Sequence, residues 1–187
     1  MKVFEKTMPE IEAKLKTMSD FLKMEYLEEC SKQKIDLTIK KFCNQELAKL
    51  YEARKMFPEA AKNMNSVAEM AVTYKDKVQA YMAEIGLWIK AGSYELADES
   101  LQKAVACCNA REREELKKTV IDVYKNQALA HEKANKNSNA LRIYEKLLHM
   151  TSESEKLEIR KKILPLYKKL GKIHEYTVLN EQIGKAG

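Results

Sequence analysis

Four cysteines and three histidines are the residues whose types could hold a metal ion or supply a nucleophile. Cys107 and Cys108 are adjacent, and adjacent side chains on a helix point about 100° apart. Cys30, Cys43 and the histidines are widely separated, whereas a zinc site needs closely spaced pairs of Cys or His. We therefore expect no metal site, and we expect the cysteines to pack as small, reduced, apolar side chains.

Enzymatic motifs are missing from the sequence. There is no G-x-x-x-x-G-K-[ST], G-x-G-x-x-G, H-E-x-x-H or G-x-S-x-G pattern, and only 5 glycines are available to build a phosphate-binding loop. Adjacent carboxylates such as Glu28 and Glu29 diverge on a helix, so they cannot converge on one substrate atom. The sequence predicts no catalytic residue, no cofactor and no enzymatic activity.

Lysine is the remaining residue type that could carry function, and its distribution is uneven. The net charge is +6, and residues 111–187 contain 17 Lys or Arg against 11 Asp or Glu, so this part carries the whole excess. Such asymmetry is typical of a surface that meets an acidic partner. A solvated surface that keeps the protein in solution is the alternative interpretation.

Composition indicates which elements must position these charges. Hydrophobic residues make up 45% of the 187 positions and charged residues 33%, while only 5 Gly and 3 Pro interrupt the chain. Long helices are therefore favoured, and a β-rich fold is not. The N-terminus does not resemble a signal peptide, and no stretch approaches the ~20 apolar residues of a membrane span. We expect an all-α, cytoplasmic protein.

Apolar residues recur at steps of three and four almost throughout, which predicts a series of helices. A first helix is expected over Met8–Cys30 and a long one over about 111–134, and Pro165 falls inside the penultimate helix, where it should kink the axis. We interpret residues 1–187 as one domain, with 1–33 as an N-terminal capping helix and 34–187 as helical hairpins.

Four segments share one pattern, centred on Tyr51, Trp88, His131 and Tyr167 at intervals of 37, 43 and 36 residues. In the two clearest copies, an aromatic residue follows six positions later and an alanine three positions beyond that. Small residues at such positions allow two helices to approach closely, and a hairpin of this kind buries its apolar faces only when copies stack.

The best copy, with Trp88, Gly92, Tyr94 and Ala97, resembles the tetratricopeptide repeat family. The resemblance implies a right-handed α-α superhelix of about four hairpins, here with an extra N-terminal helix. The intervals exceed the usual period of about 34 residues, so the copies are degenerate. Similar long hairpins occur in the soluble NSF attachment proteins, and an unrelated helical bundle is the alternative fold.

The resemblance also implies a binding surface, because the family binds extended peptides on a concave wall formed by the first helix of each hairpin. Lysine recurs along that wall, which would suit an acidic peptide or a free C-terminal carboxylate. The predicted ligand contacts are Lys49, Lys90, Lys125, Lys133, Lys161, Lys168 and Lys169, and the same wall would include Leu129 and Glu158.

We therefore expect a noncatalytic scaffold that binds a partner protein or peptide. The sequence is also compatible with two other functions. The basic C-terminal part could contact RNA phosphates, although no Arg-rich stretch or known RNA-binding module is present. The chain could also be a structural subunit of a larger complex, for example one involved in trafficking.

Overall fold

The computed structural model describes residue 5 and residues 7–186, with side chains described up to residue 184. This part of the chain contains ten helices and no strand, so the predicted all-α class is confirmed. The helices are α1 (Met8–Lys16), α2 (Asp20–Lys32), α3 (Leu37–Ala53), α4 (Phe57–Glu69), α5 (Tyr74–Ala91), α6 (Tyr94–Ala106), α7 (Ala110–Lys133), α8 (Asn137–Met150), α9 (Glu153–Lys169) and α10 (Ile173–Ala186).

Two compact units divide the chain after Arg113. In the first unit, α3 packs against α2 and α4, and α5 packs against α4 and α6. In the second unit, α9 packs against α8 and α10. None of the helices in the described residues is long and apolar enough to cross a membrane. Organisation as a single domain over 1–187 stays a prediction.

The predicted single helix over Met8–Cys30 is wrong, because two helices occupy this segment. Thr17 ends α1, and its hydroxyl donates to the carbonyl of Lys14 at 2.8 Å. Ser19 then adopts an extended conformation before α2 begins. Hydroxyl side chains that bond to nearby backbone favour such helix ends. After the break, Leu22 of α2 is 42% exposed, whereas Ile11 of α1 is buried.

Four turns between consecutive helices share one backbone geometry. Each contains a residue with positive φ, namely Lys55, Gly92, Asn135 and Gly171. In each turn, the next backbone N–H donates to a carbonyl five residues earlier at 2.9–3.0 Å, and the positive-φ residue donates three residues back. These two bonds define a Schellman motif.

The carbonyls that accept the longer bond belong to Tyr51, Trp88, His131 and Tyr167. These are the four residues on which the sequence copies are centred, so the pattern marks four turns of identical hydrogen bonding. Gly92 at the second turn has φ 77°, where a residue without a Cβ is favoured. The helical hairpins of the repeat pattern therefore share their turn geometry.

Packing around these turns also repeats. The alanines predicted to allow close helix approach, Ala60, Ala97 and Ala140, are 0–1% exposed. The Tyr51 hydroxyl donates to the carboxylate of Glu28 on α2, and Tyr167 donates to Glu145 on α8 at 3.2 Å. In both cases the last turn of one helix is tied to the helix that precedes it.

The long helix expected over about 111–134 is present as α7, and Pro165 lies inside α9 as expected. A kink at Pro165 stays a prediction. The right-handed superhelical arrangement of the hairpins likewise stays a prediction.

Candidate binding groove

A groove of about 430 Å³ lies within the second unit, between α7, α8 and α9. Lys125 and Leu129 line it from α7, and Tyr144 lines it from α8. Lys125 and Leu129 are four residues apart, which places both on one face of the helix. The volume falls in the range of pockets that hold small molecules or individual side chains of a peptide.

Five residues of α9 complete the lining, and they are Ser154, Glu155, Glu158, Ile159 and Lys162. Ser154, Glu158 and Lys162 follow each other at intervals of four, so the first half of α9 presents one continuous face to the groove.

An ion pair joins α7 to α9 at the groove. The Lys125 Nζ lies 3.0 Å from Glu155 Oε1. Glu155 also closes a capping box at the start of α9, since its Oε2 accepts from the Ser152 hydroxyl at 3.0 Å and the Ser152 backbone N–H at 3.4 Å. These bonds, with Lys125 foremost, lower the pKa of Glu155. The carboxylate is therefore charged and fixed in position at neutral pH.

Apolar side chains supply the rest of the groove. Tyr144 and Ile159 are 3% and 5% exposed, whereas Leu129 is 39% exposed. Burial, followed by a hydrogen bond to Glu132, raises the pKa of Tyr144, so the phenol is neutral. The groove can accordingly accept an apolar side chain against Leu129, which would be favourable in proportion to the area removed from water.

One charge in the groove has no counter-ion among the described residues. Glu155 is paired with Lys125, and Glu158 accepts from Lys161 at 2.8 Å. Lys162 is exposed and forms no ion pair in the part of the chain that the structure describes. An incoming ligand would therefore meet one uncompensated ammonium group beside an apolar surface.

The predicted ligand contacts are distributed over both units. Lys125 lines the groove. Lys49 and Lys90 belong to the first unit, where Lys49 pairs with Glu46 on its own helix and Lys90 pairs with Glu52 on α3, each at 2.6 Å. Exposed ion pairs contribute little to stability, and they reduce the charge available to a ligand.

The other predicted lysines lie on α7 and α9 but outside the groove lining. Lys133 ends α7, and Lys168 and Lys169 end α9, where all three are exposed. None of these three forms an ion pair within the described residues. Lys161 is held by Glu158. A role for these lysines in ligand binding stays a prediction.

Five lining residues are outside the predicted contacts and the predicted wall, and they are Tyr144, Ser154, Glu155, Ile159 and Lys162. Lys162 could be found from the sequence, because it lies four residues after Glu158, which the predicted wall includes. Tyr144 belongs to the second helix of its hairpin, and helical periodicity alone assigns it to the core rather than to a groove.

Among the described residues, no cluster of three or more His, Cys, Asp or Glu side chains lies close enough together to hold a metal ion. All four cysteines are free thiols, and Cys30, Cys43 and Cys108 are buried. The absence of catalytic activity stays a prediction.

In comparisons with known proteins, no protein-family model matches the chain, and no curated protein matches it. The tetratricopeptide resemblance therefore rests on the sequence pattern and on the turns described above.

Proposed function

We propose that this chain is a noncatalytic scaffold of tetratricopeptide-like hairpins, which binds a segment of a partner protein in the groove between α7 and α9. The observation that carries the proposal is the groove itself, which is lined by both the exposed Leu129 and the unpaired Lys162. Four free thiols fit a reducing compartment, which supports a cytoplasmic location.

The repeated turns support the scaffold part of the proposal. Four Schellman turns of one geometry, each closing on a residue of the sequence pattern, are the local condition for stacking similar hairpins. In a right-handed superhelix of these hairpins, α7 and α9 would be the first helices of the third and fourth copies. Their groove would then be part of the concave wall.

The groove lining predicts the kind of segment that binds. Ile159 and Lys162 are three residues apart on α9, a rise of about 4.5 Å along the helix axis. An extended chain advances about 3.3 Å per residue. A partner segment with an apolar side chain against Leu129 and Ile159 would therefore reach Lys162 with an acidic side chain one or two positions away.

A protein partner suits the groove better than RNA. Two lysines, Lys125 and Lys162, line it together with two glutamates, Glu155 and Glu158. A polyphosphate backbone binds where positive charges follow its path without nearby carboxylates. The mixed charges and the exposed leucine instead resemble the composition of surfaces that bind peptides.

Selection from a random dodecapeptide display library tests the proposal. Peptides that bind the wild-type chain should carry an apolar residue one or two positions from Asp or Glu. Leu129→Glu should weaken the binding of these peptides by about tenfold or more, because it places a charge against their apolar side chain. Lys118→Glu, at an exposed position of α7 outside the groove lining, should leave their affinity unchanged.

Two outcomes would contradict the proposal. One is the selection of peptides that bind Leu129→Glu as well as the wild-type chain. The other is the absence of any selectable peptide together with salt-dependent binding of a single-stranded RNA 20-mer, which would favour the RNA alternative.

A further inference from the structure

A second pocket, of about 300 Å³, lies within the first unit between α4, α5 and α6. Its walls come from α4 and α6, which are the second helices of their hairpins, and Glu84 and Trp88 line it from α5. The proposed function does not use this pocket. The side chain that distinguishes it is Glu84, because a carboxylate is rarely buried without a charged partner.

Glu84 is 3% exposed, and its three hydrogen-bond donors are all neutral. Asn65 Nδ2 donates from α4 and Trp88 Nε1 from α5 at 3.0 Å. The Ser100 hydroxyl on α6 lies 2.8 Å from Glu84, and its single proton is shared with the Leu96 carbonyl at 2.9 Å. Within the described residues Glu84 forms no ion pair. Three helices therefore converge on one buried carboxylate without neutralising it.

The donors are divided unequally between the two carboxylate oxygens. Asn65, Trp88 and Ser100 all reach Oε1, whereas Oε2 receives only the shared Asn65 amide at 3.1 Å. An ionised carboxylate can accept about four hydrogen bonds over its two oxygens. Acceptor capacity therefore remains on Oε2, in a side chain that lines the pocket, and a cationic donor would satisfy it most strongly.

Lysines lie on the two walls of the same pocket. Lys62 on α4 and Lys103 on α6 line it, and both are exposed. Neither forms an ion pair in the described part of the chain. Glu99, the other charged lining residue, is likewise exposed and unpaired there. The pocket thus combines a buried negative group with two exposed ammonium groups that lack counter-ions.

We propose that this pocket binds a small zwitterion, whose cationic nitrogen bonds to Glu84 and whose carboxylate lies toward Lys62 and Lys103. A ligand with only one of these charges would leave either the buried carboxylate or the two ammonium groups uncompensated. The volume suits a molecule the size of an amino acid. Ligands of this size reach dissociation constants of about 1–10 mM with ordinary contacts.

Trp88 provides a specific measurement, because it is the only tryptophan in the chain and its indole N–H donates to Glu84. The indole ¹H–¹⁵N signal of the full chain would be followed while 5-aminopentanoate is added at constant ionic strength. Pentylamine lacks the carboxylate and pentanoate lacks the ammonium group, so the three probes separate the two contacts. We expect saturable shifts with 5-aminopentanoate and about tenfold weaker binding of pentylamine.

Two variants complete the test. Glu84→Gln removes the buried charge and should weaken the binding of 5-aminopentanoate by about tenfold or more. Because this change could impair folding, a double variant at exposed positions, Lys62→Gln with Lys103→Gln, provides a second test. It should abolish the difference in affinity between 5-aminopentanoate and pentylamine. Lys34→Gln with Lys75→Gln, also exposed and in the same unit, is the matched control.

The proposal is overturned if 5-aminopentanoate causes no saturable shift up to about 50 mM, a limit well above the expected dissociation constant. An equal response to pentanoate alone would also overturn it, because the ammonium contact with Glu84 would then contribute nothing. In either case Glu84 would serve only to join α4, α5 and α6 through its hydrogen bonds.

Discussion

The pocket between α4 and α6 and the groove between α7 and α9 differ in the side chains that they bury. In the first, the buried lining residues include Glu84 and Trp88, joined by a hydrogen bond of 3.0 Å. In the second they are Tyr144 and Ile159. The first pocket therefore depends on a hydrogen-bond network that tolerates few changes, and the second depends on apolar area and shape.

This difference predicts that the two pockets are unequally sensitive to substitution, and the largest loss of stability is expected at Trp88. Trp88→Ala should lower the free energy of unfolding by about 3–5 kcal/mol, because it removes a large buried ring together with a donor to Glu84. Ile159→Ala should cost only about 2 kcal/mol, since its side chain borders an open groove. Urea unfolding followed by circular dichroism at 222 nm measures both, without relying on the tryptophan.

Trp88→Phe is the control that separates packing from hydrogen bonding. It keeps most of the ring but leaves Glu84 without its indole donor, which should cost about 1–3 kcal/mol. A loss close to zero for Trp88→Phe would show that the hydrogen-bond network contributes no special sensitivity. The comparison between the two pockets would then fail.

The turns offer a finer comparison, because each unit has one glycine and one larger residue at the positive-φ position. Lys55→Gly in the first unit should raise the free energy of unfolding by about 0.5–1 kcal/mol, by relieving a left-handed conformation that costs a Cβ-bearing residue about 1–2 kcal/mol. Asn135→Gly in the second unit should gain less, since asparagine tolerates this conformation. Thermal unfolding of the two variants checks the order.

Gly92→Ala is the reciprocal change and should cost about 1 kcal/mol or more. An added Cβ at Gly92 would meet no atom within 4 Å, so any loss reports backbone conformation alone. An unchanged free energy of unfolding for Gly92→Ala would mean that the positive φ of this turn does not require glycine.

The smallest effect concerns the ion pair between Lys125 and Glu155. The pKa of Glu155 is lowered in the folded chain, so its stabilising contribution is present above the pKa of an unfolded glutamate and is lost as pH falls through the folded value. The stability difference between wild type and Lys125→Met should therefore be full at neutral pH and disappear as the pH falls through the folded pKa of Glu155. Because the pair is exposed, added salt should reduce this stability difference.

Urea unfolding across this pH range measures the effect, with Lys168→Met as the control for loss of an unpaired lysine from α9. A difference that persists unchanged at acid pH would indicate that Lys125 contributes through packing of its aliphatic stem instead.

Much of the local structure follows from the sequence. Helical spacing indicates an all-α chain, and the residues around Tyr51 and Trp88 predict where two hairpins turn. Gly92 signals its own turn, because glycine is favoured at positive φ. Lys55 and Asn135 take the same conformation without a glycine.

The remaining features depend on contacts that spacing does not encode. The break between α1 and α2 lies at Thr17–Ser19, where the Thr17 hydroxyl bonds to the Lys14 carbonyl and the Ser19 backbone is extended. Glu84 is equally hidden in the sequence, because its donors Asn65 and Ser100 lie 19 and 16 residues away on neighbouring helices.

The shared turn geometry has a consequence for the order in which the chain folds. Each Schellman turn is closed by backbone bonds spanning five residues or fewer, and the helix packing described within each unit joins sequence neighbours. Contacts this local give a low contact order, which favours rapid folding. Within each unit, formation can begin at either hairpin and propagate to the other, so a substitution in a turn should change mainly the rate at which its own hairpin nucleates.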